Sequence, residues 1–243
     1  MNKILVISDI HANLEALQAV LDDAGSVDAI WCLGDLVGYG PDPNECVSII
    51  SKLPNLVCLL GNHDAAVLGD IDIEYFNRDA GVAAKWTRDN LSAENLEFLR
   101  SLPERVNLEQ VTLAHGSPRN PVWEYLLDIY TAKENFAFFD TQICLVGHSH
   151  IPLAYTEIDV NQKLALRQLQ QGEILLIAER IILNPGSVGQ PRDYDPRAAY
   201  AFFFSEENIW ECRRVSYDIV SVQQKITQAG LPARHAERLT LGW

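Results

Sequence analysis

Ile4-Leu5-Val6-Ile7-Ser8-Asp9-Ile10-His11 runs four apolar residues straight into an aspartate and a histidine two positions apart. The same join recurs along the chain. Short apolar runs at 4–7, 29–33, 56–60, 111–114, 143–146 and 181–183 have the length of strands, and continuous apolar character suits strands buried on both faces. They end in Ser-Asp-Ile-His (8–11), Gly-Asp (34–35), Gly-Asn-His-Asp (61–64), His-Gly (115–116), Gly-His-Ser-His (147–150) and Asn-Pro-Gly-Ser (184–187). Polar chemistry is thereby placed just past strand C-termini, the edge at which open α/β sheets bind ligands.

The segments between these runs complete the architecture. Leu14, Ala16, Leu17, Val20 and Leu21 recur at helical spacing, with Gly25 as a stop, which predicts a helix over 13–24 and a β-α-β unit. Residues 65–110 read as helical from Ala80, Ala83, Ala84 and Trp86, then Leu96 and Leu99 behind a Ser92 cap. Thr131-Ala-Lys-Glu134 has the form of a capping box. Beyond residue 150 the texture is strand-like at 153–158, 164–169, 174–177, 199–204 and 209–215, followed by a helix over 218–229 that Gly230 ends. The expected fold class is α/β, two stacked β-sheets flanked by helices, in one domain over 1–243 with a helical segment at about 65–110.

Composition excludes several function classes. No stretch approaches the roughly 20 apolar residues that span a bilayer, and the first strand runs into Ser-Asp rather than a cleavage region, so a cytoplasmic protein is expected. Cys32, Cys46, Cys58, Cys144 and Cys212 are odd in number and lack Cys-x-x-Cys spacing, as expected of buried thiols in a reducing compartment. Lys plus Arg is 19 against 33 for Asp plus Glu, a formal net charge of −14, which argues against a partner as long and anionic as nucleic acid. A small phosphoester is compatible if the site itself is cationic, and so is a homo-oligomer.

Of the six histidines, His11, His63, His115, His148 and His150 all stand in the strand-end clusters, and His235 lies elsewhere. In extended chain the period of two would send Asp9 and His11 to one side, and likewise His148 and His150. Asp35, Asn62 and His115 arrive singly, each beside a glycine. Imidazoles with two carboxylates and an amide oxygen suit divalent Mn, Fe, Co, Ni or Zn better than Mg or Ca. Two such ions with two carboxylates would leave a local charge of about +2 in an acidic protein.

In this order the motifs Asp9-Ile-His11, Gly34-Asp35, Gly61-Asn62-His63-Asp64, His115-Gly116 and Gly147-His148-Ser149-His150 resemble those of the calcineurin-like metallophosphoesterases. Asn184-Pro-Gly-Ser-Val-Gly189 resembles a further loop of the small prokaryotic phosphodiesterase branch. The resemblance implies a pair of mixed sheets flanked by helices and a dinuclear site. One metal would be held by Asp9, His11, Asp35 and His150, and the other by Asp35, Asn62, His115 and His148. It also implies in-line attack on phosphorus by a metal-activated hydroxide, with His63 facing the leaving group as the catalytic histidine.

One departure concerns the second motif, which in the protein phosphatases of the superfamily reads Gly-Asp-x-x-Asp-Arg-Gly and here reads Gly34-Asp35-Leu-Val-Gly38-Tyr39-Gly40. The carboxylate that would orient the histidine and the arginine that would grip phosphate are both missing. A phosphodiesterase acting on small, nucleotide-like substrates is therefore expected; the alternatives are a phosphomonoesterase and a non-catalytic scaffold on the same fold. Arg119 and Arg192 read as exposed loop residues, and His235 as a surface histidine. Tyr75, Phe76, Trp86, Trp123 and Tyr125 read as core aromatics.

Overall fold

The computed structural model describes residues 2–158 and 163–243. The strands are β1 (Lys3–Ile7), β2 (Ala29–Cys32), β3 (Leu56–Cys58), β4 (Arg105–Asn107), β5 (Val111–Ala114), β6 (Ile143–Leu145), β7 (Pro152–Glu157), β8 (Leu164–Gln168), β9 (Ile174–Leu176), β10 (Ile181–Pro185), β11 (Ala198–Phe204) and β12 (Ile209–Val215). The helices are α1 (Leu14–Ala24), α2 (Pro43–Ile50), α3 (Asn62–Leu68), α4 (Arg78–Asn90), α5 (Ala93–Arg100), α6 (Ile129–Asn135), α7 (Ile219–Gln228) and α8 (Ala233–Leu241). The strands form two mixed six-stranded sheets, in the orders β3-β2-β1-β11-β12-β9 and β4-β5-β6-β10-β7-β8.

Each sheet contains one parallel triplet. β1, β2 and β3 run parallel in the first, and β5, β6 and β10 in the second. The remaining pairings are antiparallel. The strands after residue 150 are shared between the sheets: β7, β8 and β10 join the second, β9, β11 and β12 the first. The six loops that follow the parallel strands carry every polar cluster singled out above.

Apolar character on both sides of a strand has a direct consequence here. In β1, Ile4 and Val6 face the second sheet while Leu5 and Ile7 face the helices; in β11, Ala201 and Phe203 alternate in the same way with Tyr200 and Phe202. The inner faces meet in one cluster with Trp31, Val111, Leu113, Ile143, Leu145, Leu183 and Trp210. Leu17 and Val20 of α1, with Val47 and Ile50 of α2, cover the first sheet, and Ala132 of α6 with Phe136 covers the second. All five cysteines are buried and free. Among the described residues no helix is long and apolar enough to cross a membrane.

Local signals succeeded where a cap was visible. Asn13 caps α1 by accepting from the Ala16 amide, Ser92 caps α5 by accepting from Asn95, and Asp218 caps α7 by accepting from Ser221. α6 opens at Asp128 instead of Thr131, because the Asp128 carboxylate accepts from the amides of Tyr130 and Thr131. The segment 65–110 is helical in pieces, and residues 105–107 pair with β5 as strand β4. α2 and α8 had no sequence expectation. α2 follows Gly-Pro-Asp-Pro, which reads as a turn, and α8 is mostly polar with only Ala236 and Leu239 packed against α4 and α7.

Phe203, about 1% exposed between the sheets, tests this packing. Phe203→Ala should lower unfolding stability by about 3–5 kcal/mol. Urea denaturation giving a loss under about 1 kcal/mol would show that the inner face of β11 is not core.

Candidate metal centre

The paired residues do not converge by strand alternation, as expected above. Asp9 (φ 55°), His11 (φ 50°), Asp35 (φ 55°), His148 (φ 63°) and His150 (φ 61°) all adopt left-handed backbone in the turns beyond their strands. Such conformations cost non-glycine residues roughly 1–3 kcal/mol each and persist only where the surroundings over-determine them. Here the loops are tied to one another. Asp9 N–H donates to Gly34 O (3.0 Å), His11 N–H to Asp35 O (3.0 Å) and Gly147 N–H to His115 O (2.8 Å). The Asn184–Gly189 loop clamps two turns at once: Ser187 Oγ donates to Asp9 O (2.8 Å), and Asn184 Nδ2 donates to Gly147 O (2.6 Å) and Ser149 Oγ (3.0 Å).

Each carboxylate spends one oxygen on this framework and leaves the other bare. Asp9 Oδ2 accepts from the His148 amide (3.1 Å) and Asp35 Oδ1 from the His63 amide (2.8 Å). Asp9 Oδ1 and Asp35 Oδ2 are buried with no hydrogen-bond partner. A buried anionic oxygen without a partner is costly, and a cation is the group that removes the cost. Gly61 keeps this arrangement open, since a Cβ there would lie 2.1 Å from Asp35 Oδ1.

The histidines are oriented through their other ring nitrogen. Nδ1 of His11 bonds to Val37 O (3.0 Å), that of His115 to Leu33 O (2.8 Å) and that of His150 to Gln190 O (2.6 Å), which leaves Nε2 of each facing the carboxylates. This is the arrangement that fixes the tautomer of a metal-ligating imidazole. His148 is turned round, with Nε2 on Trp123 O (3.1 Å) and Nδ1 left to face inward.

Two groups of ligand atoms result: Asp9, His11, Asp35 and His150, and Asp35, His115 and His148. Asp35 Oδ2 is 3.6 Å from His11 Nε2 and 3.4 Å from His115 Nε2, so it faces both groups. Asp9 Oδ1 is 3.3 Å from His150 Nε2, and Asn62 Oδ1 is 3.1 Å from His115 Nε2. Donors that share an ion at about 2.0–2.2 Å lie about 3.0–3.6 Å apart, so these spacings fit divalent metals.

Burial holds His11, His148 and His150 well below the ordinary imidazole range, so each is a neutral ring with a free lone pair. Burial pushes the Asp9 carboxyl up to about 7. At Asp35 burial acts in the same direction, but His115, His63 and His11 outweigh it and hold the group below the usual carboxylate range. Burial disfavours the charged form of His115, yet the Asp35 carboxylate beside it raises the ring to about 9.

His63 stands outside both groups. Its ring packs edge-on against Phe76 (4.8 Å) and tilted against Tyr39 (4.4 Å), 4.9 Å from the His11 ring, and its Nδ1 is buried without a partner. Burial lowers it to about 4. Gly38 makes room for it, because a Cβ there would fall 2.5 Å from His63 Nδ1. Asp64 does not orient His63: its carboxylate accepts from the amides of Gly61, Leu36 and Val37.

Three sequence expectations are corrected around this centre. His235 is buried, 4.9 Å from the Tyr39 ring, because α8 presses it inward. Arg192 is half-buried and places its guanidinium 3.3 Å from Tyr39 Oη. The aromatics divide: Tyr125 stacks on His148 at 3.6 Å while partly exposed, Tyr75 is 77% exposed, and Phe76 and Trp123 pack on each other beside His63 and His148. Arg119 is paired with Glu124 and Glu134, away from the centre. No motif marked Gln190, Arg192 or His235, although Gln190 follows directly on the Asn184–Gly189 loop.

The model of the calcineurin-like phosphoesterase superfamily domain matches residues 2–208. A metallophosphoesterase from Sphaerobacter thermophilus has the same fold, with a TM-score of 0.91 and 46% identity over 99% of each chain. An uncharacterized protein of Methanocaldococcus jannaschii is 43% identical over 98% of each chain. A symmetrical bis(5'-nucleosyl)-tetraphosphatase of Erwinia tasmaniensis is 34% identical over 53% of this chain and 47% of its own length. With its motifs in order at the ends of the parallel strands, and buried Asp and His groups spaced to hold metal, the chain belongs to the calcineurin-like phosphoesterase superfamily.

Proposed function

We propose that this protein is a dinuclear metal-dependent phosphodiesterase of the cytoplasm acting on small, nucleotide-like substrates. The observation that carries the proposal is Asp35 Oδ2, buried, unpartnered and facing both groups of ligand atoms. Asp9, His11, Asp35 and His150 would hold one ion, and Asp35, Asn62, His115 and His148 the other, with Asp35 as the bridge. The imidazole-rich set favours Mn, Fe, Co, Ni or Zn. Bound there, such ions lower the pKa of a coordinated water and polarise phosphoryl oxygens.

The chain's own groups supply the rest. The carbonyls of Val37, Leu33 and Gln190 hold three imidazoles in the ligating tautomer. A neutral His63 ring still offers one N–H, and its place against Tyr39 beside His11 suits a hydrogen bond to the departing oxygen. The similarity to a tetraphosphatase over half the chain supports a nucleotide-like substrate. Gly38 and Tyr39, in place of the aspartate and arginine of the protein phosphatases, favour a diester, which carries less charge than a monoester. Arg192 is the one observation that favours a phosphomonoesterase, because it brings a guanidinium to Tyr39 from another loop.

Initial rates on matched aryl monoesters and diesters, across a metal series, distinguish the two readings. A transition metal should activate, and the diester should be faster; monoester rates that exceed diester rates at every pH would decide for the phosphatase. Full activity after exhaustive chelation would remove the metal-dependent reading altogether.

Asp35→Ala should weaken both metal sites together. Metal analysis finding two ions per chain at near-native affinity would show that Asp35 is not the bridge.

His63→Ala should retain metal and lose about 10²–10⁴-fold in rate. The loss should be largest for a nucleoside alkoxide leaving group and smallest for nitrophenolate. Equal losses on both substrates, or loss of metal from the variant, would take the departing-oxygen role from His63.

A further inference from the structure

In a chain with 33 acidic and 19 basic residues, an arginine normally finds an acid. Arg119, Arg197, Arg213 and Arg214 each do so. Arg78 and Arg234 have no acid within ion-pair distance among the described residues; Arg238 donates through Nε to Trp243 O, and the guanidiniums of Arg234 and Arg238 lie 5.4 and 5.8 Å from the Trp243 ring centroid. Arg78, Arg234 and Arg238 are also gathered in one place. With Asn77, Asp79 and His235 they line a cavity of about 520 Å³, within the range of ligand pockets. Asp79 is the one acid in that lining.

Two of these arginines are unfavourably placed in their helices, whereas Arg238 lies in the last turn of α8, where the dipole favours a cation. Arg78 is the first residue of α4, and Arg234 lies in the first turn of α8, whose Pro232 cap offers no side-chain acceptor. Helix N-termini carry partial positive charge, so a cation there opposes the dipole, whereas an anion is stabilised. Burial, followed by the like charges of Arg192 and Arg234, lowers Arg238 to about 10. An anion with several oxygens would stabilise the cations at these two helix N-termini.

The cavity adjoins the metal centre. His235 lines both it and a small gap bordered by His11, Tyr39 and Gln190. Its Nε2 donates to Asp79 O (3.1 Å) and its Nδ1 is buried without a partner. Arg192 lies against Tyr39, and its Nε is likewise buried and unpartnered.

We propose that the cavity lined by Arg78, Arg234 and Arg238 is an oxyanion subsite that holds a second phosphate of the substrate, distinct from the one hydrolysed. The substrate is then a small phosphoric ester bearing at least two phosphate groups, with one end at the metals and the other on α8. This rests on the phosphoesterase reading above for what happens at the metals, and on the arginine cluster for the second phosphate.

Calorimetric titration of the metal-loaded full chain, at a fixed free metal concentration, with inorganic tripolyphosphate and with orthophosphate tests it. Wild type should bind tripolyphosphate at least tenfold more tightly than orthophosphate. Arg234→Gln and Arg238→Gln should each weaken tripolyphosphate by about 10-fold to 100-fold, with a smaller loss for Arg78→Gln, and shift orthophosphate less than twofold. Arg100→Gln, on the exposed face of α5, should change neither. Arg234 and Arg78 are exposed, so their variants should fold, and unchanged melting temperatures check this. Tripolyphosphate binding unaffected by Arg234→Gln and Arg238→Gln, or a parallel loss of orthophosphate, would overturn the subsite. Because the readout is binding, this outcome is separate from any failure to hydrolyse aryl diesters.

Discussion

Two carboxylate oxygens, Asp9 Oδ1 and Asp35 Oδ2, are buried with nothing to accept from, and the end of the sandwich is built around them. Their sister oxygens are committed to the amides of His148 and His63, so neither side chain can turn to relieve the exposed charge. Partial relief comes from His115, which Asp35 raises to about 9. Burial keeps His11, His148 and His150 neutral, so each can offer a lone pair to a cation without losing a proton, whereas the raised His115 would have to release one.

Holding such a centre requires strained backbone. Five of the seven candidate metal ligands sit in left-handed conformation, and the strain is carried by neighbouring loops instead of by any one turn. The Asn184–Gly189 loop reaches Asp9 through Ser187 and the 147–149 turn through Asn184. It follows β10, which lies between β6 and β7, so the topology of the second sheet delivers the clamp to the first sheet's loop. Fold and site are coupled at this point: the parallel triplets supply six loops, and the sixth secures two of the others.

The surroundings of the centre are arranged by residues distant in sequence. Gly38 yields its space to the His63 ring, Tyr39 packs on His63 and His235, and α8 supplies the second rank of positive charge. The net charge of −14 conceals this local inversion, because the cavity lining holds three arginines and one acid, Asp79. A pocket can thus attract phosphate in a protein whose overall field repels it.

Residue type and local spacing determined a good deal: the strand runs, the capped starts of α1, α5 and α7, the α/β class, and the motif order that marks the superfamily. These are legible because apolar runs, caps and turn residues act over a few positions. The same local reading failed at α2, β4 and α8, whose identity depends on what they pack against, and at Asp128, which took the cap assigned to Thr131. It also gave the wrong reason for the convergence of Asp9 with His11 and of His148 with His150. Alternation along a strand is a property of extended chain, whereas left-handed turns exist only when other loops enforce them. Tertiary structure alone decided that His235 leaves solvent, that Arg192 reaches Tyr39, that Asp64 serves backbone amides instead of His63, and that Arg78, Arg234 and Arg238 share one cavity. Each depends on proximity between segments far apart in the chain, which no single sequence encodes as spacing.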